Sequence, residues 1–243
     1  DLTGMKFVQA AGHTRYDNMV TYKTPTFAGF TAFAQFSFGN SDDNGETGSA
    51  KISWDEGKAS ADRYYAIGAN YKVENLYLVG IVDSVNYGSQ QTVRGSDLDD
   101  SITVTLGGNY NFGFMTVYAA AHCFGNANAL STQGWNSDAM KTTFGITAAY
   151  DELEGYSGIV GFDAPLAGGK VLASVGALKA ETDEFDEKVK ATAWFAGLGY
   201  QYNLSKSTRV YTGIGYTEGE YKYDGKKVKP DSLSTVAGLS YYF

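Results

Sequence analysis

The side chains that could perform catalysis are too scattered in this sequence to form a recognisable motif. Paired carboxylates can act as general acid and base, but pairs such as Asp42-Asp43 and Asp99-Asp100 lie in polar stretches that predict solvent-exposed loops. The two histidines, His13 and His122, are more than a hundred positions apart, with no cysteine or carboxylate at ligand spacing. No Gly-x-Ser-x-Gly motif and no phosphate-binding glycine loop is present. The sequence therefore predicts no enzyme, no metal site and no cofactor.

Composition excludes several further classes of protein. The net charge is −8 and the isoelectric point is about 4.8, so the basic surface that binds nucleic acid is missing. A single cysteine, Cys123, excludes a disulfide framework. No run of about 18 apolar residues is present to cross a bilayer as a helix. A nucleic-acid-binding protein, a disulfide-rich domain and a helical membrane protein are therefore excluded.

Apolar and polar residues alternate with period 2 along most of the chain, which predicts β-strands. In the last segment, 232–243, the odd positions from Leu233 to Phe243 are mainly apolar, and the even positions are mainly serine and glycine. One face of that strand is therefore apolar and aromatic, and the other is small and polar. About eleven such segments are predicted. They are 14–23, 28–39, 61–72, 76–87, 100–111, 114–124, 155–165, 170–179, 191–204, 208–219 and 232–243.

The connections between these segments alternate strictly between short and long. The short ones are 24–27, 73–75, 111–113, 166–169 and 205–206, and the long polar ones are 40–60, 88–99, 125–154, 180–190 and 220–231. This sorting is typical of an antiparallel up-and-down transmembrane β-barrel, which has tight turns at one end and longer loops at the other. A soluble β-sandwich has no reason to sort its loops in this way. The stretch 141–153 is assigned to a long external loop with some helix.

Large aromatic side chains cluster near the ends of the segments, as in the interfacial girdles of membrane barrels. They include Phe30, Phe36, Phe38, Tyr110, Phe112, Tyr200, Tyr202, Tyr241 and Phe243. The mean hydropathy of −0.26 agrees with a membrane barrel, because only half of each strand faces lipid and the loops are polar.

Basic residues inside strands point to a water-filled lumen, because an arginine or lysine on the lipid face at mid-depth costs about 2–4 kcal/mol. Arg15 and Lys23 have the opposite parity to the apolar residues of their segment, and Arg209 has the opposite parity to Val210. We therefore expect Arg15, Lys23 and Arg209 to line a pore. Lys170 and Arg63 are further candidates, although alternation alone does not show which face of the strand they occupy. The alternative is a position at the barrel rim, paired with loop acids.

Several stretches resemble the general porins of Gram-negative bacteria. The stretch 15–30 resembles the strand and turn that follow the constriction loop in that family, and 204–211 is similar to its penultimate hairpin, with Ser207 in place of the usual arginine. A third hairpin of that family is matched by Gly155-Tyr156, Pro165 and 168–170. A terminal Phe243 after alternating apolar residues resembles the C-terminal strand that the barrel-assembly machinery recognises.

The resemblance implies a homotrimer of barrels with about 16 strands each. Residues 1–13 then correspond to the end of the constriction loop and 14–243 to the sixth to last strands, about 11 in number, with the first five strands absent from this sequence. In that family an inward loop carries acidic residues opposite the basic residues of the pore wall, and Asp17 remains from that region in this sequence. Phe243, Tyr241 and Leu239 form the implied assembly signal.

The implied function is an outer-membrane diffusion channel. Its partners are membrane lipid, small hydrophilic solutes and ions, with no chemical reaction. An alternative within the same fold is a structural protein whose barrel tethers the outer membrane to the cell wall.

Overall fold

The computed structural model describes residues 18–38, 63–86, 99–127, 153–182 and 188–242, together with the backbone of 92–93 and 96–97. The described residues form strands and turns, with no helix among them. None of them belongs to a helix long and apolar enough to cross a bilayer.

The described residues form fourteen strands in chain order, and twelve of these form one antiparallel sheet. They are β1 (Met19–Lys23), β2 (Phe30–Ser37), β3 (Arg63–Val73), β4 (Leu76–Asn86), β5 (Thr92–Val93), β6 (Ser96–Asp97), β7 (Ile102–Asn111), β8 (Thr116–Ala127), β9 (Leu153–Leu166), β10 (Gly169–Thr182), β11 (Val189–Asn203), β12 (Thr208–Tyr223), β13 (Lys226–Val228) and β14 (Asp231–Tyr241). Each long strand pairs with its neighbours in sequence, and β5 and β6 form a separate small hairpin. The described sheet is open, because β1 pairs only with β2 and β14 only with β12.

The predicted all-β, up-and-down architecture is confirmed. Eleven of the described strands overlap the eleven predicted segments, and short turns at one end alternate with long connections at the other. Of the segment 14–23, only Met19–Lys23 is a described strand, and the stretch 141–152 with its expected helix lies outside the described residues.

The structure differs from the sequence expectation in four of the predicted loops. Strands enter 125–154, where β8 ends at Ala127 and β9 begins at Leu153, and 180–190, where β10 ends at Thr182 and β11 begins at Val189.

The other two loops contain additional strands. The small β5–β6 hairpin occupies part of 88–99, and β12 continues to Tyr223 and turns back into β13 within 220–231. Asp224 and Gly225 form this turn with φ of 49° and 67°. Positive φ at both central residues matches the right-handed twist of a two-residue hairpin, which explains why strand pairing continues beyond the predicted strand end.

The sheet has two chemically different faces. Residues opposite one another in a ladder share a face, and successive residues alternate. The face that carries Ile67, Leu106 and Leu198 holds most of the exposed large hydrophobic side chains, and we call it the apolar face. The opposite face, which carries Lys23, Lys170 and Arg209, is called the polar face. This register settles the facing of β4 and β8, whose sequences alternate poorly.

Aromatic residues form two belts on the apolar face. The belt at the turn end contains Phe30, Tyr71, Tyr110, Phe162, Tyr202 and Tyr241, and the belt at the loop end contains Phe36, Tyr65, Tyr156 and Trp194. Neighbouring rings touch, with centroids 4.3 Å apart for Phe30 and Tyr71 and 5.1 Å apart for Phe36 and Tyr65. On β11 the interval from Trp194 through Tyr202 has the length of about 9–11 residues that a tilted transmembrane strand requires.

At its loop end the polar face carries an apolar cluster instead of the polar lining expected from sequence. The cluster consists of Phe124, Ala127, Leu153, Leu178, Ala180, Val189, Ala191, Phe195 and Tyr221, with Ile159 and Tyr223 packed against it. A register shift between Phe124 and Ala127 lets both residues join the cluster although they are three positions apart. The strands β8 to β12 are therefore packed together at their loop ends by side-chain contacts as well as by hydrogen bonds.

Candidate functional site

The polar face combines charged side chains with a stretch of wall that carries only small side chains. At mid-depth, five strands contribute one register row made only of the smallest side chains. The row consists of Gly161, Ser174, Gly197, Gly215 and Ser234. Because no side chain in it is larger than serine, the row leaves room for water and solute beside the wall.

Lys170 lies on the polar face nearer the turn end and is held by a carboxylate. Its Nζ is 3.2 Å from Oδ1 of Asp163, and the hydroxyl of Tyr118 donates to the other carboxylate oxygen at 2.8 Å. The side chain of Lys170 is 49% exposed, whereas that of Asp163 is 15% exposed. The ammonium group therefore reaches solvent while Asp163 offsets part of its charge.

Arg209 lies two register rows closer to the turns and has neutral partners. Its Nη1 donates to Oε1 of Gln201 at 3.1 Å and its Nη2 donates to the hydroxyl of Tyr242 at 2.8 Å. The guanidinium carbon is 5.7 Å from the centroid of the Tyr242 ring. No described carboxylate forms a salt bridge with Arg209, so its positive charge is oriented by hydrogen bonds without being neutralised by the described residues.

The structure distributes the other predicted site residues between both faces. Lys23 ends β1 on the polar face, exposed and opposite Phe33. Arg63 begins β3 opposite Asn86 and shares the apolar face with Tyr65, beyond the loop-end aromatic belt. Arg15 and Asp17 lie outside the described residues.

The predicted assembly-signal residues Leu239 and Tyr241 are exposed on the apolar face of β14. Phe243 lies outside the described part of the chain.

Several charged residues on the polar face of the described strands are not among the sequence predictions. Lys72 lies opposite Tyr77 near the turn end, Asp83 lies opposite Thr103 near the loop end, and Asp163 holds Lys170. The rule that assigns strand arginines to a wet face applies equally to carboxylates, since both are costly in lipid. Applied to every charged strand residue, that rule would have selected Asp83 and Asp163.

The described residues contain no group of three histidine, cysteine or carboxylate side chains able to hold a metal ion. The polar face instead combines fixed charges with a row of very small side chains. Such a wall can orient ions and solutes by electrostatic interaction and hydrogen bonding.

The sequence pattern of the Gram-negative porin family matches residues 1–222. The chain belongs to this family. Its sheet has the fold of a transmembrane β-barrel of the outer membrane.

Curated relatives and a solved structure resemble this porin chain over most of its length. It is 28% identical over 226 residues to an outer membrane porin protein of Bordetella pertussis, covering 87% of the chain and 54% of that protein. It is 24% identical over 213 residues to outer membrane porin protein 32 of Delftia acidovorans, covering 85% of the chain and 47% of that protein. A porin structure refined at 1.8 Å resolution superposes with a TM-score of 0.55 and 17% identity, over 93% of this chain and 60% of that one. The chain thus spans about half the length of the curated relatives it matches.

Proposed function

We propose that the chain forms part of the wall of a passive diffusion channel for ions and small hydrophilic solutes. The observation that carries the proposal is the mid-depth row of glycine and serine on the polar face, with the half-exposed Lys170 and with Arg209 nearer the turn end. A solute passing this row meets backbone and small hydroxyl groups, and no group there is positioned to react with it. Porins form a family of channels, and this role involves no enzymatic step.

The open edges of the sheet support a larger closed barrel. The strands β1 and β14 each leave one side unpaired among the described residues. In lipid, every unpaired backbone group costs several kcal/mol, so only a closed barrel is stable there. We propose that further strands join these two edges, in keeping with a barrel of about 16 strands.

The remaining partners are part of the same proposal. The family resemblance supports a homotrimer, and the exposed apolar end of β14 at Leu239 and Tyr241 supports recognition by the barrel-assembly machinery. The relatives named as porins match 87% and 85% of the chain, which favours a channel over a barrel that tethers the outer membrane to the cell wall.

The lumen cations should influence which ions pass. Lys23, Lys170 and Arg209 all lie on the polar face, and Arg209 has no described carboxylate partner. At 0.1 M salt the screening length is about 10 Å, so wall charges reach ions in the water beside them, whereas at 1 M it is about 3 Å. Removing these charges should therefore raise the relative permeability of cations, more at low salt than at high salt.

Reversal potentials in planar bilayers test this proposal with the full-length protein. The Arg209→Gln variant should shift the potential toward cation preference at 0.1 M salt, and the shift should shrink at about 1 M as screening increases. The matched control is Arg63→Gln, which removes an arginine from the opposite face and should leave the potential unchanged. An equal shift in both variants, or none in Arg209→Gln at low salt, would contradict the lumen assignment. Absence of any conductance in the wild-type protein would contradict the channel itself.

A further inference from the structure

The polar face is covered at its loop end, although the same face is open nearer the turns. On β10 the polar-face positions close to the turns are exposed or half-buried, whereas Leu178, Ala180 and Thr182 are buried. The same change occurs along β11, where every polar-face position from Val189 to Phe195 is buried. Positions of the apolar face at this depth, such as Lys179, remain exposed. The sheet is therefore covered here from its polar side.

The covered area is the apolar cluster at the loop end, and the sheet does not cover it by itself. Leu178 and Tyr221 are 3% and 2% exposed, although large side chains stand out from the surface of a sheet. The partly buried hydrophobic residues that pack against the cluster, Ile159 and Tyr223, belong to the same sheet. A hydrophobic sheet face is buried by packing against a second layer. The opposite wall of a barrel of about 16 strands lies across a water-filled interior and cannot supply that layer.

One connection of the chain leaves the sheet and re-enters it inside this cluster. Ala127 ends β8, Leu153 begins β9, and the two residues are paired in the ladder. Both are buried members of the cluster. The 128–152 segment between them has 25 residues, and it can extend about 40 Å from this point and return. The five strands β8 to β12 span about 20 Å, so the segment is long enough to lie across the whole cluster.

The composition of the 128–152 segment also suits an apolar surface. Ten of its 25 residues are apolar or aromatic, against five of 24 in the connection 39–62. The connection 183–187, which also adjoins the cluster, has four acids among its five residues. Within the 128–152 segment, one stretch alternates with period 2, so that its apolar residues share one side. These residues are Phe144, Ile146, Ala148 and Tyr150.

We propose that the 128–152 segment folds back into the lumen and packs its apolar residues on the cluster, as an inner layer of the wall at the loop end. This packing removes the apolar surfaces of both layers from water, which explains why the wall of a water-filled channel carries an apolar cluster on its polar face. The polar residues of the segment then face the solute. The proposal differs from the sequence expectation of an external loop, and it is independent of which solutes cross the channel.

Thiol labelling of the full-length protein in lipid vesicles tests whether the cluster is covered. In a background without other cysteines, with Cys123 replaced by alanine, Ala180→Cys places a thiol inside the cluster. Ser174→Cys places one on the same face of the same strand, outside the cluster. A water-soluble maleimide should label the cluster thiol on the order of a hundredfold more slowly, because its rate follows the population in which the covering layer is undocked. Equal labelling rates would show an uncovered cluster and overturn the inference.

Serine at the large positions of the alternating stretch tests whether the 128–152 segment is the covering layer. Each of Phe144, Ile146 and Tyr150 should favour the docked arrangement about tenfold or more through burial, so the triple Ser variant should label the Ala180→Cys thiol at least about a hundredfold faster. Phe144→Ser alone should accelerate labelling about tenfold, so the test does not depend on the folding of the triple variant. Labelling of Ser174→Cys should be unchanged in both variants.

Two control variants establish which segment covers the cluster. Serine at Thr143, Thr147 and Ala149 changes the other side of the alternating stretch and should leave the cluster thiol protected. Serine at Ile52 and Trp54, in the connection 39–62, should also leave it protected. Exposure of the thiol by either control, or continued protection in the Phe144→Ser variant, would overturn the assignment of the 128–152 segment.

Discussion

The facing of β11 predicts opposite outcomes for an arginine placed at one depth on either side of the wall. Leu198 is 52% exposed on the apolar face, midway between the belt residues Trp194 and Tyr202. Ser174 lies at nearly the same depth on the polar face, opposite Gly197. An arginine on the lipid face at the bilayer midplane costs about 2–4 kcal/mol, so Leu198→Arg should reduce the folding equilibrium constant about 30-fold to 1,000-fold. Ser174→Arg should cost less than about 1 kcal/mol because its guanidinium enters water.

Urea titration of the full-length protein in lipid vesicles measures this difference. The folded fraction is read from the faster migration of unheated barrel on a denaturing gel, and the free energy of unfolding is obtained by linear extrapolation. Ser174→Arg should fold like the wild type but conduct less, because its longer side chain occupies the space left by the mid-depth row. Equal destabilisation in the two variants, or greater destabilisation in Ser174→Arg, would refute the assignment of the two faces.

Two further predictions concern the loop end of the barrel. Hydrogen bonds from Lys222 and Lys227 lower the pKa of Glu220 from 4.5 to about 2, so carboxylate NMR shifts should report a midpoint near that value. Because the pKa of Glu220 in the folded protein lies below the ordinary value, its hydrogen bonds to the lysines should stabilise the fold above about pH 4.5. This contribution should be lost as the pH falls through about 2. An epitope tag at the Asp224-Gly225 turn should be detected on intact cells and one at Ser205 should not, since the longer connections of a membrane barrel lie outside. The reverse labelling pattern would show that the barrel is inverted.

Much of the fold could be predicted from the sequence because its determinants are local. Strand alternation in 232–243, short turns and long polar connections identify the strands and their order without any knowledge of contacts. Lipid on one side and water on the other favour this pattern in each strand separately, although β4 and β8 show it poorly. The same reasoning placed Lys23 and Arg209 on one face, because each has an apolar neighbour in its own strand that fixes the parity.

Where the role of a residue depends on a neighbouring strand, the functional site could be located only from the tertiary structure. Parity alone left Arg63 and Lys170 ambiguous, and the register placed them on opposite faces. The contact between Lys170 and Asp163 depends on the β9–β10 ladder, although only six residues separate the two in sequence.

The sequence by itself determined the main strands and the alternating faces of most of them, and the tertiary structure decided which side chains meet. Lys190, Lys222 and Lys227 show this division, because they lie directly opposite one another on three strands although each is an ordinary surface lysine when read alone. Alternation along a strand is a property of consecutive residues, so it can be read directly from the chain. Contact between strands depends on register, which is set by turn geometry and by packing across the whole sheet.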